Sequence, residues 1–204
     1  RNTSGYCNIA TGSYSLYSNT IGYHNVALGH YSLYSNLSGN NNIALGGHSL
    51  RDNYNGSNNT AVGYESMKYN TSGFNNTSIG YQSLLNSNGN YNTSVGFESM
   101  KSNTSGFNNT SIGYQSLLNN TGNYNTALGY NAGSTITTGA NLTCIGIDAA
   151  PSSSTALDQV TLGNGFVQSL RCNVQTISSL SDMRDKKNIT DLTLGLDFLM
   201  KVKP

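Results

Sequence analysis

The sequence predicts an all-β repeat fold, a parallel β-roll or β-helix solenoid with coils of about 17 residues. A five-residue motif, Asn-x-(Ala/Ser)-(Leu/Ile/Val)-Gly, returns along the chain in complete or degenerate form. Its glycine recurs every 17 or 16 residues, at Gly12, Gly29, Gly46, Gly63, Gly80, Gly96, Gly113, Gly129, Gly146 and Gly163. A second glycine lies seven residues before each motif glycine through most of the chain, as at Gly22 and Gly39.

The two glycines divide each coil into two short segments, and we predict a β-strand in each. One segment is the motif itself, and the other contains Ser-Leu or Ser-Met, as in Ser32-Leu33 and Ser66-Met67. Short segments with β-branched residues, bounded by Gly and Asn, are typical of strands. The frequent glycines leave no 3.6-residue periodicity, so no helix is predicted in this part of the chain.

A single coil has too few apolar side chains to offset about 1–2 kcal/mol of backbone entropy for each residue, so the coils must stack. Stacking aligns the apolar motif residues into one predicted ridge: Leu28, Leu45, Val62, Ile79, Val95, Ile112 and Leu128. It also aligns the first motif residue into a predicted ladder of side-chain amides: Asn25, Asn42, Asn59, Asn76, Asn92, Asn109 and Asn125. Glycine at both corners of the coil is expected to provide turns with positive φ.

An aromatic residue follows the motif glycine in the later coils, at Tyr64, Tyr81, Phe97, Tyr114 and Tyr130. Such a ladder can form a packing seam between coils or protomers, or it can stack on sugar rings as a ligand site. We favour packing. The next position alternates between Glu and Gln, at Glu65, Gln82, Glu98 and Gln115, and we interpret it as a solvated face rather than as paired catalytic carboxylates.

Composition argues against several classes of partner. The formal net charge is +1 and only 9% of the residues are charged, which gives no electrostatic reason to expect nucleic acid. No apolar run approaches the roughly 20 residues that a membrane helix needs, so membrane insertion is not expected. The three cysteines are far apart and the three histidines occupy different repeat positions, so we expect neither a metal site nor a cofactor. Cys144 stands where other coils have Ala or Ser, and we predict that it is a small core residue.

The repeat pattern also suggests the domain organisation. Residues 1–147 form the array, residues 148–180 a closing loop with a short β-segment, and residues 181–204 the start of a further domain. Because the chain opens inside a repeat, we expect more sequence upstream. Segments 65–97 and 98–130 are nearly identical, which indicates tandem duplication and suits a spacer or fibre of variable length.

The array resembles the Asn-Thr-Ala-x-Gly-Tyr-x-Ser-Leu repeats of phage tail-fibre proteins over residues 1–147. It is also similar to the parallel β-roll heads of trimeric bacterial adhesins, whose repeat unit is somewhat shorter. Two strands per coil leave a thin coil with little interior, so we expect the array to gain further burial by associating with copies of itself, most simply as a homotrimer. The resemblances imply a location in a virion or, alternatively, at a cell surface.

The segment from Ser181 to Ile189, Ser-Asp-Met-Arg-Asp-Lys-Lys-Asn-Ile, resembles the start of the intramolecular chaperone of phage tail spikes and fibres. A helix is expected after it. The family is self-cleaving, so the resemblance implies that Ser181 is the nucleophile and Lys186 the base of a Ser–Lys dyad that cuts the chain beside Ser181. Asp185 stands where the family commonly has an apolar residue, and a carboxylate there raises the pKa of a nearby lysine, which disfavours its action as a base.

We therefore expect a structural fibre protein that forms a trimeric shaft or receptor-binding tail fibre, with a host-surface glycan or protein as receptor. The alternative is a cell-surface trimeric adhesin or an extracellular fibril glycosylated at its Asn-x-Ser/Thr sequons. A depolymerase needs a cleft with placed acids, which the regular polar surface does not supply. The only enzymatic activity expected is single-turnover autoproteolysis.

Overall fold

A computed structural model describes residues 3–169 of the chain as a parallel β-solenoid of about nine turns. Its sheet contains ten strands in sequence order, namely β1 (Ile9–Thr11), β2 (Val26–Leu28), β3 (Ile43–Leu45), β4 (Thr60–Val62), β5 (Thr77–Ile79), β6 (Thr93–Val95), β7 (Thr110–Ile112), β8 (Thr126–Leu128), β9 (Ala140–Ile145) and β10 (Leu157–Leu162). The described residues contain no helix, and thus none that is long and apolar enough to cross a membrane. The predicted all-β solenoid is confirmed.

Every strand pairs in parallel with the strand of the next coil, and equivalent residues lie side by side. Ala27 pairs with Ala44 between β2 and β3, and Cys144 pairs with Thr161 between β9 and β10. The solenoid therefore continues through β10, beyond the boundary at residue 147 expected from the sequence. With a strand spacing of about 4.8 Å, the ten strands extend along roughly 43 Å of the solenoid axis.

The apolar motif residues form a continuous row, but this row lies on the outer face of the sheet. In β2 the central residue Ala27 is fully buried, whereas Leu28 is 40% exposed. In β5, Ser78 is likewise buried and Ile79 is 40% exposed. Side chains alternate between the faces of a strand, and the central position of each three-residue strand points inward. The predicted ridge is therefore not the interior of the coil.

The second segment of each coil is a run of turns, so the strand predicted there is wrong. In the second coil Tyr31 and Leu33 have φ values of 57° and 48°, in the left-handed region. A strand requires φ near −120° throughout, so this alternation curls the backbone around the interior. The curl turns Leu33 inward, where it is fully buried. Equivalent residues stack on it to form the apolar core, namely Leu16, Leu33, Leu50, Met67, Leu84, Met100 and Leu117.

The two glycines of each coil are required for different reasons. The motif glycine has a positive φ, between the left-handed and extended regions; at Gly46 it is 131°. A Cβ added at Gly46 would also lie only 2.6 Å from the carbonyl oxygen of Gly63. The second glycine does not have positive φ, which corrects the expectation for this corner. At Gly22 an added Cβ would lie 2.5 Å from the carbonyl oxygen of Gly39 and 2.7 Å from the amide nitrogen of Asn36. Close approach between coils therefore requires glycine at this second position.

The predicted amide ladder is confirmed and lies inside the coil. The Asn42 backbone N–H donates to the Asn25 side-chain oxygen at 3.0 Å, and the Asn42 side-chain amide donates to the Gly56 carbonyl oxygen at 2.8 Å. Both asparagines are fully buried. Each rung thus bonds to the coil before it and the coil after it, which satisfies polar groups that burial would otherwise destabilise.

A second buried amide ladder runs beside the first, and the sequence reasoning missed it. The Asn36 amide donates to the Asn19 side-chain oxygen at 2.8 Å and to the Gly39 carbonyl oxygen at 3.0 Å. Its members are Asn19, Asn36, Asn53, Asn70, Asn103 and Asn120. Ser87 interrupts the series, and both the Ser87 hydroxyl oxygen and the Asn70 side-chain oxygen are buried there without a hydrogen-bond partner.

Candidate functional site

The five aromatic residues singled out in the sequence form one stacked ladder on the surface. The ring centroids of Tyr64 and Tyr81 are 5.9 Å apart, and the following pairs along the ladder are 5.0, 5.2 and 5.0 Å apart. The angles between ring planes are all 12° or less. The rings pack face to face because the coils repeat at nearly the distance at which aromatic rings stack.

This geometry limits what the aromatic ladder can bind. Tyr81, Phe97 and Tyr114 each have a ring on both faces, so only their edges reach solvent. A sugar that stacks on an aromatic residue needs an open ring face. The three inner rings therefore contact their neighbours in the way expected of a packing seam.

A different aromatic arrangement occupies the first coils. Tyr14, Tyr31 and His48 form one stack, with centroid separations of 4.9 and 5.4 Å. Tyr17 and Tyr34 form a second stack at 5.4 Å with nearly parallel planes. The two stacks meet where the rings of Tyr31 and Tyr34 are 5.0 Å apart and tilted by 50°. The sequence signal for this cluster is the 17-residue recurrence of Tyr14 and Tyr31 and of Tyr17 and Tyr34, which the sequence reasoning did not use.

A shallow surface pocket of about 370 Å³ opens where these two stacks end. It is lined by Tyr31, Tyr34, His48, Arg51 and Asp52. The register of the coils explains the position, because the residue that follows Tyr17 and Tyr34 at the same repeat position is Arg51, which is not aromatic. The pocket thus lies at the point where a tyrosine stack stops and a charged pair begins.

The charged pair in the pocket is held in a fixed orientation. Arg51 donates to Asp52 through Nε at 2.8 Å and through a terminal nitrogen at 2.6 Å. The guanidinium carbon lies 5.3 Å from the centre of the Tyr69 ring in the next coil. The hydrogen bond to Asp52 raises the pKa of Arg51 above its ordinary value. Burial, with further contributions from the charges of Lys68 and Arg51, lowers the pKa of His48, so its ring is neutral at pH 7.

The Glu and Gln residues that directly follow the aromatic ladder in sequence form hydrogen bonds with one another and do not form a catalytic dyad. Glu65 accepts from Lys68 at 2.6 Å and from Gln82 at 2.7 Å. The duplicated coils repeat this arrangement at Glu98. Burial alone would raise the pKa of Glu65, but the hydrogen bonds from Lys68 and Gln82 outweigh it and lower the pKa below its usual value. A carboxylate held ionised in this way is not suited to act as a general acid at neutral pH.

Several sequons lie inside the solenoid. Six of the sequon asparagines are buried members of the amide ladders, namely Asn36, Asn70, Asn76, Asn92, Asn103 and Asn109. Their side-chain nitrogens donate to glycine carbonyl oxygens, as Asn92 does to Gly106 at 2.9 Å. A glycan on such a nitrogen is incompatible with the folded coil. Other sequon asparagines are exposed, namely Asn55, Asn58, Asn75, Asn108, Asn119 and Asn141.

The remaining candidates are the possible metal ligands, the cysteines and the predicted cleavage residues. No group of three or more His, Cys, Asp or Glu side chains in that range is arranged to hold a metal ion. Cys144 is buried, as predicted for a small core residue, and burial raises the pKa of its thiol. Ser181 and Lys186, the predicted cleavage residues, lie outside the described residues, as does the whole chaperone-like segment 181–204.

Comparison with known proteins provides no relative from which a role can be transferred. No protein-family model, curated protein or solved structure matches this chain. The function must therefore be argued from the solenoid and its surface.

Proposed function

We propose that this chain is a structural fibre protein of a virus or phage particle, forming part of a trimeric shaft or receptor-binding tail fibre. The observation that carries the proposal is the uniform stacking of the coils, each bonded in register to the coils before and after it. Such a fold gains length by adding coils without changing the existing ones. Near-identical segments 65–97 and 98–130 are consistent with growth of this kind.

Self-association is supported by the outer face of the sheet. The row that contains Leu28, Ile79, Ile112, Leu128 and Ile145 is at least 40% exposed at each of these positions. A contiguous exposed apolar row is typical of an interaction surface. Three copies that place this row toward a common axis bury it, which is why we propose a homotrimer.

The oligomeric state provides the test. Sedimentation equilibrium of the chain should give the mass of three chains. The double variant Ile79→Thr and Ile112→Thr should shift this mass toward the monomer, because threonine is polar and already occupies the equivalent position at Thr11. Asn119→Ser, in the run of turns outside the sheet, introduces the residue found at Ser102 in the preceding coil; it is the control and should remain trimeric. A monomeric parent chain would remove the trimer from the proposal.

We further propose that residues 181–204 begin a chaperone that drives trimer folding and cleaves itself beside Ser181. The support is the sequence resemblance of that segment. Intact mass measurements on a chain that includes the whole downstream domain should show a cut in the parent protein and none in Ser181→Ala or Lys186→Ala. Equal masses for all three proteins would remove the cleavage step and leave the fibre proposal standing.

A further inference from the structure

The pocket at the end of the tyrosine stacks combines an aromatic wall with a paired polar edge. Tyr34 is stacked on Tyr17 from the preceding coil, and the pocket opens on the side of the following coil. At that register the following coil has Arg51, whose guanidinium is directed at Asp52 and at the Tyr69 ring. An aromatic wall is therefore available here, in contrast to the inner rings of the aromatic ladder, whose faces are both covered.

The polar edge offers donors and acceptors side by side. Two N–H groups of Arg51 bond to Asp52, which leaves three of the five guanidinium donors for other partners. Each carboxylate oxygen of Asp52 also retains capacity to accept another hydrogen bond. Because Arg51 and Asp52 neutralise one another, the edge favours a ligand that both donates and accepts over an ion.

We infer that this pocket, formed by Tyr31, Tyr34, His48, Arg51 and Asp52, binds a neutral hexose unit of a polysaccharide. A hexose has one face of C–H groups, which packs against an aromatic ring, and a rim of hydroxyls, which both donate and accept hydrogen bonds. The volume of about 370 Å³ is at the small end of the usual range for ligand sites, about 300–1,000 Å³. The shallow opening leaves room for the rest of a polymer to continue across the surface.

This inference deepens the proposed receptor-binding role of the fibre and rests on it only for its biological setting. At the same repeat positions in a later coil, the polar side chains hydrogen-bond to one another: Glu98 accepts from Lys101 and from Gln115. The pocket is thus a local departure from the repeat, found where the tyrosine stacks end. The neutral His48 ring completes its wall.

The test uses the full chain and saturation-transfer NMR with the methyl glycosides of glucose, galactose and mannose as probes. At least one should receive saturation on its C–H face, with a Kd of about 1 mM, as is usual for so small a ligand. Galacturonate serves as an acidic probe. Binding of galacturonate alone, or of no probe, would overturn the inference.

The variants use residues that other coils already tolerate at the same register, so that loss of binding is separable from loss of folding. Tyr34→Leu introduces the residue found at Leu85 and should weaken hexose binding about tenfold. The double variant Arg51→Lys and Asp52→Ser introduces the pair found at Lys101 and Ser102 and should remove the orienting hydroxyl contacts, with a similar loss.

Tyr124→Asn is the matched control, since it removes a tyrosine that is 56% exposed far from the pocket and introduces the residue found at Asn108. It should bind as the parent chain does. Unchanged hexose binding in both pocket variants, with unchanged thermal unfolding, would overturn the assignment of the site. Hexose binding by a chain that proves monomeric would instead contradict only the fibre assembly.

Discussion

Replacing Ser87 by asparagine should stabilise the solenoid, because Ser87 is a defect in the second amide ladder. The Ser87 hydroxyl oxygen is buried without a partner. The coil that contains Ser87 has 16 residues instead of 17, and so does the coil that contains Asn120 at the same register. Asn120 therefore shows how an asparagine fits into a shortened coil.

Asn120 makes three hydrogen bonds that Ser87 lacks. Its amide donates to the Gly122 carbonyl oxygen at 3.1 Å, and its side-chain oxygen accepts from the Gly122 backbone at 3.2 Å and from the Asn125 amide at 3.0 Å. Each bond contributes about 1 kcal/mol, and removing an unpartnered buried hydroxyl contributes about 1–3 kcal/mol. Ordering the longer side chain opposes this by about 1–2 kcal/mol.

The expected net gain is about 2–5 kcal/mol in the free energy of unfolding, or roughly 4–20 °C in melting temperature for a chain of this size. Thermal unfolding followed by circular dichroism measures it. Asn120→Ser is the matched control and should lower the melting temperature by a comparable amount. A Ser87→Asn protein that melts at or below the parent temperature would refute the idea that the ladder stabilises the coil at this register.

Three further predictions concern the interior and the paired carboxylates. Asn59→Ala removes a donor to the Gly73 carbonyl at 2.8 Å and an acceptor for the next coil, so we expect a loss of about 3–5 kcal/mol in denaturant titrations. The pKa of Glu65 is lowered in the folded state, so its contribution to stability is present above its ordinary pKa and is lost as pH falls through the lowered value. The stability difference between the parent and Glu65→Gln, which loses the ion pair with Lys68, should therefore shrink in acid titrations monitored by circular dichroism. Because the Cys144 thiol is buried and its pKa is raised, it should react with a thiol reagent only at the rate of global or local opening, measured against the fully unfolded chain.

The repeat period was enough to predict the solenoid and the first amide ladder, because both depend on which residues recur at the same position. Asn25 and Asn42 recur at the start of the motif, and parallel stacking necessarily brings them together. The second ladder has the same signal, with Asn36 and Asn53 separated by 17 residues. It was overlooked because it lies outside the motif, in a segment interpreted as a strand.

Periodicity could not predict which side of each segment faces inward. In a 17-residue coil the direction of a side chain depends on local φ, and Leu33 points inward because its φ is positive. Left-handed backbone is uncommon for leucine and costs roughly 1–2 kcal/mol, so propensity alone argues against it. Burial in a continuous apolar stack outweighs this cost. The pocket was also beyond sequence reasoning, since it depends on how the Arg51 side chain turns toward Asp52 and Tyr69.

The pairing of Glu65 with Gln82, and of Glu98 with Gln115, has a consequence for how such a chain can change its length. Each bond joins two consecutive coils, so the complete surface unit spans 98 − 65 = 33 residues. A recombination event that removed the coil of Gln82 would place the carboxylates of Glu65 and Glu98 in adjacent positions, where like charges repel. Removal of the Glu98 coil would instead place Gln82 beside Gln115 and leave Gln115 without its carboxylate acceptor. Loss or gain of two consecutive coils leaves every Glu of the row hydrogen-bonded to the Gln of the neighbouring coil. Inherited length variation in this part of the array should therefore occur in steps of about 9–10 Å, twice the strand spacing.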